Sequence, residues 1–524
     1  MSLVADRRTP EAPHLTGVGG APLSEAELTR IQLVGRPMPN DRLRGWLVAG
    51  FLTLFGGLLR FQNLGSATDK GTPVFDEKHY VPQAWEILRN TGYEDNPAFE
   101  LTVHPPFGKQ LIAIGEWLFG YNAWGWRFTA ALASTLMILL IVRIARRLTR
   151  STLLGGIAGV LLICDGVLHV QGRMGMLDIY LAFFVLLAFG CLLLDRDQVR
   201  NRLAIAAREG WATESPWGPW LGFRWWRFAC GVSLGLACGS KWSGIFVVAA
   251  FGVLSVIWDA TARRAAGISR PWVGSFLKDL APALWALLVV PILVYLATWW
   301  GWFMSETGVD RHLAEASGHS GWYDIFPAAL RSLWQYSGNV LGFHEDLVTP
   351  ESGQHPWESK PWTWPMGLRP MLYYYNGGTT SCGEERCVSA TMLVGTPAMW
   401  WLALPMLAWG LWRMIGRLDW RWAAVLVPYL FGLLLPWFMN LDRQMYFFYA
   451  TPMSAFLVLG LVLALGQIMG SSRDGYERRG TGMLVVALYV GLVAANFIWL
   501  WPILNGDSIT ESRWQSELWL PSWR

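Results

Sequence analysis

Long apolar runs recur along the chain, most of them close to the length one membrane crossing needs. They fall at roughly 45–64, 126–145, 152–170, 176–194, 226–240, 243–260, 279–301, 397–414, 422–439, 446–468 and 481–502. A helix spans a bilayer with about 20 mostly apolar residues. The pattern predicts an all-α polytopic membrane protein with about eleven transmembrane helices. Only "GSKWSG", around Lys241, separates the fifth run from the sixth, so periodicity alone leaves one interrupted helix open.

Charge resolves that ambiguity. Arg143, Arg146, Arg147 and Arg150 follow the second run, and Arg196, Arg200, Arg202, Arg208, Arg224 and Arg227 follow the fourth. Arg263, Arg264, Arg270 and Lys278 follow the sixth, then Arg413, Arg417 and Arg421, then Arg473, Arg478 and Arg479. Short basic loops stay cytoplasmic, so two crossings must separate Arg227 from Arg263, with Lys241 turning at the opposite face. This predicts a cytoplasmic N-terminus and an extracytoplasmic C-terminus. Two long loops, 65–125 and 302–396, then face outward, with tight turns at 171–175, around 241 and at 440–445. The expected organisation is a disordered cytoplasmic tail (1–44), a transmembrane module (45–301) containing the first outer loop, and the second outer loop (302–396). The last helices (397–502) and an outer C-terminal tail (503–524) complete it.

Composition agrees with a chain short of aqueous surface. Of 524 residues 53% are hydrophobic and 15% charged, against about 25% charged in soluble domains, and the mean hydropathy is +0.30. The 34 tryptophans suit membrane–water boundaries. A net charge of +4 is too small to suggest nucleic-acid binding. Cys164, Cys191, Cys230 and Cys238 lie in or beside apolar runs and read as packing residues. Cys382 and Cys387, in the second outer loop, are expected to close a local disulfide over a cavity mouth. A metal site is disfavoured, because no second cysteine pair completes four ligands.

Ionisable residues gather on the outer face. The first loop carries Asp76, Glu77, His79, His104, Lys109 and Arg127; "QGRMGMLD" adds Arg173 and Asp178; the tight turns add Lys241 and Arg443. Charges near bilayer depth pair with one another or line a cavity. Several cations and a carboxylate at a membrane boundary suit a substrate with an anionic head and a lipid tail. Transfer of a sugar from a lipid phosphate needs cations for the departing phosphate. It also needs one carboxylate as base toward the acceptor hydroxyl, and attack opposite the leaving group gives inversion. From Tyr80 onward, Tyr80, Val81, Ala84, Trp85 and Leu88 form one helical stripe, with Pro82 in a first turn. Individually these signals are ordinary: Asp-Glu before such a helix often only caps it, Arg173 and Arg443 suit interfacial anchors, and His104 in "HPPFGK" suits a turn. Their convergence on one face carries the reading.

Read in order, "FDEKHY", "HPPFGKQLI", "GWRFTAAL", "QGRMGMLDIY", "GSKWSG", "HPWESKPWTWPMGLRP" and "DRQMYFFYATP" resemble the protein O-mannosyltransferases of the GT-C superfamily, bacterial members in particular. The resemblance covers roughly residues 45–502. It implies a GT-C fold and transfer of mannose from polyprenyl-phosphate mannose to Ser or Thr of exported proteins, with no metal or other cofactor. It also implies that Asp76 is the catalytic carboxylate and that Glu77 and Arg127 occupy functional positions beside it. Arg173, Asp178, Lys241 and Arg443, with His79, His104 and Lys109, are expected around the donor phosphate and substrate. Exported acceptor proteins, the lipid bilayer and the secretion translocon are the expected partners. Eukaryotic members insert a MIR domain in the second outer loop, and 302–396 is too short to hold one. A transporter would show broken helices, mid-membrane charges and repeated halves, which this chain does not suggest.

Overall fold

The computed structural model describes residues 33–34, 38–89, 93, 102–318, 321–350, 353–379, 381–384, 386–470 and 474–524. Most of the 1–44 tail, and Arg473, lie outside the described residues. Each predicted apolar run falls on helix. In chain order these are α1 (Arg42–Phe61), α2 (Glu77–Arg89) and α3 (Phe107–Phe119) of the first loop, then α4 (Ala123–Thr149), α5 (Thr152–Ile163), α6 (Gly166–Gln171) and α7 (Asp178–Arg208). There follow α8 (Trp225–Ser240), α9 (Gly244–Ala265), α10 (Pro271–Thr298), α11 (Ala328–Asp346), α12 (Ala403–Gly416), α13 (Trp420–Met439), α14 (Met453–Met469) and α15 (Tyr476–Asn505). Among the described residues seven helices are long and apolar enough to cross a membrane: α1, α4, α7, α9, α10, α13 and α15. On α1 the outward side chains are apolar, among them Leu47, Phe51, Leu54 and Leu58, each more than 60% exposed. Such a surface suits lipid and not water.

The fifth and sixth runs are separate helices. α8 ends at Ser240, the Lys241 N–H still reaches the Ala237 carbonyl at 3.0 Å, and α9 begins at Gly244.

The segments expected to face outward are folded. In the second, α11 is followed by β1 (Met371–Thr379) and β2 (Cys387–Leu393); β3 (Ser508–Thr510) comes from the C-terminal tail. The three form an antiparallel sheet in the order β1-β2-β3. The tail expected beyond 503 is thus tied into structure, and a small sheet accompanies the helices. In the first loop α2 starts at Glu77, three residues before the predicted stripe, so Pro82 lies in its second turn. Its buried side carries Tyr80, Val81, Ala84 and Ile87, while Leu88 is exposed.

Two compact units interleave along the chain: among the described residues, 33–34, 195–224 and 256–282 fall in one, and those of 38–194, 225–255 and 283–524 in the other. Within the smaller unit Val199, Leu203, Leu221, Ala262 and Ile268 pack together. Arg224 bonds Asp195 through Nε (2.8 Å) and Asp259 through Nη1 (2.7 Å), and Arg263 grips Asp279 at 2.8 and 2.9 Å. These arginines, counted in the sequence among the orienting loop charges, sit in buried ion pairs.

Candidate active site

The larger unit holds the residues expected at the outer face, and the turn before α2 organises them. Phe75 takes a left-handed φ of +51°, a conformation that costs a residue with a side chain about 1–2 kcal/mol. Its ring is held between Tyr373 of β1, stacked at 4.6 Å, and Phe448 at 5.8 Å. Tyr373 is anchored in turn by a hydrogen bond from Gln171 to its hydroxyl, 3.0 Å. The twist at Phe75 sends the consecutive carboxylates of Asp76 and Glu77 into different surroundings.

Glu77 faces inward and is fully enclosed. Its Oε1 accepts from Arg127 Nε (2.7 Å) and the Gly175 N–H (2.7 Å), and its Oε2 from Arg127 Nη2 (2.8 Å) and the Val74 N–H (3.2 Å). Arg127 also donates to the carbonyls of Leu64, Ser66 and Ala67. A Cβ at Gly175 would meet the Trp126 carbonyl oxygen at 3.2 Å, so the bare backbone there permits the close approach. Glu77 and Arg127 therefore join the first loop, α4 and the 173–176 turn, and neither presents a free group to a substrate.

Asp76 is half-buried and makes no ion pair among the described residues; Tyr80 donates to its Oδ2 at 3.4 Å. Burial pushes its carboxyl up to about 6; the nearby Lys241 opposes the rise and Asp178 adds to it. Lys241 bonds both oxygens of Asp178, at 2.8 and 2.9 Å, and its ammonium lies 4.9 Å from the Tyr449 ring centre. Asp178 opens α7, where the helix N-terminus favours its negative charge.

Arg173 is engaged differently from the phosphate contact expected of it. Its Nη1 donates to the carbonyls of Leu59 (3.2 Å), Arg60 (2.9 Å) and Gln62 (2.5 Å), and its Nη2 to that of Asn63 (3.3 Å). It caps the C-terminal end of α1, where orphan carbonyls call for a donor.

A cavity of about 860 Å3 opens beside this cluster. Lys241, Arg443, His104 and His344 stand at its polar end, while Ile245, Phe246, Leu288 and Ile292 are among its apolar walls. Arg443 Nη2 donates to His344 Nδ1 at 3.2 Å, and its guanidinium lies 5.7 Å from the ring centres of Trp437 and Tyr449. Burial lowers His344 to about 4 and holds His104 well below the usual imidazole range, with cations, Lys241 and Arg443 among them, acting in the same direction on both. Both rings are neutral at physiological pH. Lys109 is buried and donates to the His104 carbonyl at 2.9 Å, so it shapes the "HPPFGK" turn. His79 is half-buried on α2 and is not among the cavity-lining residues.

Cys382 and Cys387 form the expected disulfide, with Cα atoms 5.8 Å apart. It closes the turn between β1 and β2, and neither cysteine lines the cavity it was expected to cover. His344 and Tyr373 escaped the sequence reading: the first sits in "GFHEDL", an unremarkable helix end, and the second in a tyrosine run with no helical period.

The arrangement sets the half-buried, unpaired carboxylate of Asp76 near a cavity with a cationic end and apolar walls. Solved structures supply a fold for comparison. The chain matches that of the Saccharomyces cerevisiae protein O-mannosyltransferase Pmt1–Pmt2 complex bound to the sugar donor, with a TM-score of 0.70 at 16% identity over 95% of this chain and 94% of the other. The fold is that of a multi-pass membrane protein of the GT-C class. The dolichyl-phosphate-mannose-protein mannosyltransferase family model matches residues 120–305, and the C-terminal four-TMM region of protein-O-mannosyltransferase matches 329–523. The polyprenol-phosphate-mannose–protein mannosyltransferase of Mycobacterium tuberculosis is 55% identical over 93% of this chain and 93% of its own length. Those of Mycolicibacterium smegmatis and Corynebacterium glutamicum are 52% and 42% identical, over 93% and 90% of this chain and 94% and 92% of their own lengths. The chain belongs to the polyprenol-phosphate-mannose–protein mannosyltransferase family.

Proposed function

We propose that this chain transfers mannose from polyprenyl-phosphate mannose to Ser or Thr hydroxyls of exported proteins, with inversion at the anomeric carbon. One observation carries the reading. Of the three acidic groups around the turn before α2, Glu77 is paired with Arg127 and Asp178 with Lys241, which leaves Asp76 free to take a proton; Glu345, on the cavity wall, is exposed. The acceptor hydroxyl gives its proton to Asp76 while its oxygen bonds the anomeric carbon. The bond from that carbon to the phosphate oxygen breaks, and its electron pair leaves with the prenyl phosphate. At the polar end of the cavity Arg443 holds the donor phosphate alike before and during transfer, and Lys241 stabilises the charge that develops as it departs. Neutral His104 and His344 can hydrogen-bond the donor head, and the apolar wall suits the first prenyl units. Side-chain cations thus meet the charge requirement, and the reading calls for no metal.

The alternating basic loops support a plasma-membrane orientation with the N-terminus cytoplasmic and the site outside. Acceptors then arrive as exported Ser/Thr-rich segments, which makes the secretion translocon a natural neighbour. The test supplies purified protein in bilayers with mannosyl-phosphoprenol and a Thr-rich peptide. The expected product is a mannosyl-peptide whose anomeric configuration is opposite to the donor's. Transfer only to a glycan or lipid acceptor would refute the protein-acceptor reading. A retained configuration would refute the single displacement.

A further inference from the structure

The block "HPWESKPWTWP" matched the family resemblance, yet none of its residues touches the base, and none is among the residues lining the cavity. Its geometry explains what it does. Lys360 has three ammonium hydrogens, and three acceptors surround it: the carbonyl of Leu441 at 2.8 Å, the carbonyl of Arg443 at 3.0 Å and Glu358 Oε1 at 2.9 Å. No hydrogen remains for a substrate phosphate. Glu358 is fully enclosed, and its Oε1 also accepts from Thr349 Oγ1 at 2.5 Å. Backbone bonds extend the clasp: the Thr349 N–H reaches the Asp442 carbonyl (3.2 Å), the Gln444 N–H the Leu347 carbonyl (2.9 Å), and the Ser359 N–H the Met445 carbonyl (2.8 Å). Val348 and Arg443 form an isolated antiparallel bridge.

Residues 347–349 and 358–360 therefore hold the 441–445 turn at its backbone from one side. On the other, His344, from the helix that leads into this segment, holds the Arg443 guanidinium. We propose that Lys360, oriented by Glu358, is a positioning residue for donor binding: it fixes the Arg443 backbone so that the guanidinium enters the cavity already aimed at the phosphate. The inference rests on the reading of Arg443 as a phosphate-binding group. A pre-aimed cation does not have to be ordered when the donor arrives, and that saving appears in affinity. Lys360 thus acts on donor binding and leaves the transfer step alone.

The test is a double-mutant cycle on the full-length protein, measuring donor KM and kcat at saturating donor. Lys360→Met keeps the stem and removes all three hydrogen bonds. It should raise donor KM by about 3–30-fold, the range of mutations that act on a site without touching its ligand, with kcat nearly unchanged. Lys360→Gln, which retains an N–H donor, should fall between wild type and Lys360→Met and serves if the latter does not fold. Arg443→Ala alone should raise donor KM by about 10–100-fold, as for loss of a charge-assisted bond. In that background Lys360→Met should add nothing, because the group it aims is gone. Full additivity, or a fall in kcat with donor KM unchanged, would overturn the positioning role while sparing the phosphate reading. An unchanged donor KM in Arg443→Ala would overturn both.

Discussion

Glu77 is locked to Arg127 by two hydrogen bonds of 2.7 and 2.8 Å, and both side chains are shut away from solvent. Removing one partner of such a buried pair strands the other charge, at a cost of about 3–5 kcal/mol. Arg127→Ala and Glu77→Ala should therefore lower thermal stability sharply, and the activity they lose should follow the folded fraction. Differential scanning calorimetry beside a transfer assay checks this. A normally stable but inactive Glu77→Ala would instead give Glu77 a direct chemical part.

Asp76 is expected to behave in the opposite way. Asp76→Asn preserves the side-chain shape and removes the proton acceptor, so turnover should fall by about 10²–10⁴-fold. Thermal stability and donor affinity should change little, because the donor is held by cations elsewhere. Single-turnover transfer and lipid binding on the same purified protein separate the two effects. Near-normal turnover in this variant would return the base to an open question.

The same carboxylate sets the acid limb of the pH profile. Asp76 acts as a base only when ionised, and burial raises its pKa to about 6. Transfer should therefore rise with pH through about 6 and fall roughly tenfold per unit well below it. Lys241 lowers this pKa and Asp178 raises it. Lys241→Met should move the limb to higher pH and Asp178→Asn to lower pH. A pH–rate profile at saturating donor measures all three, and shifts of the opposite sign would refute the electrostatic account.

Arg173 should prove structural. Its guanidinium bonds four carbonyls at the end of α1, and a side-chain hydrogen bond from a charged group contributes about 1.5–3 kcal/mol. Arg173→Ala should destabilise the protein without raising donor KM in the fraction that remains folded. Arg443→Ala should do the reverse, and assaying the two in parallel tests the contrast.

The disulfide should stiffen the β1–β2 hairpin and leave the chemistry alone. Cys382→Ser with Cys387→Ser should cost about 2 kcal/mol of local stability, as expected for closing a short loop. Hydrogen exchange along β1 and β2 should accelerate while turnover stays near wild type, since neither cysteine lines the cavity. Mass mapping without reductant should find the pair linked in native protein.

The sequence by itself determined the helical framework, because lipid requires each crossing to be apolar and internally hydrogen-bonded, and that requirement is local. It likewise identified the outer-face charges, since a charge at bilayer depth is conspicuous against its neighbours. The division of labour among those charges was not legible. Asp76 and Glu77 are adjacent and chemically alike, and only the left-handed turn at Phe75 and the distant Arg127 and Gly175 make one a free carboxylate and the other a tie. Arg173 and Arg443 look equivalent along the chain until α1 takes the first and His344 the second. Such assignments depend on partners roughly 50 to 110 residues away. The folding of the second outer loop and the C-terminal tail into one sheet depends on pairing over a similar distance. Local pattern records what an element is; which groups meet is decided when the elements pack.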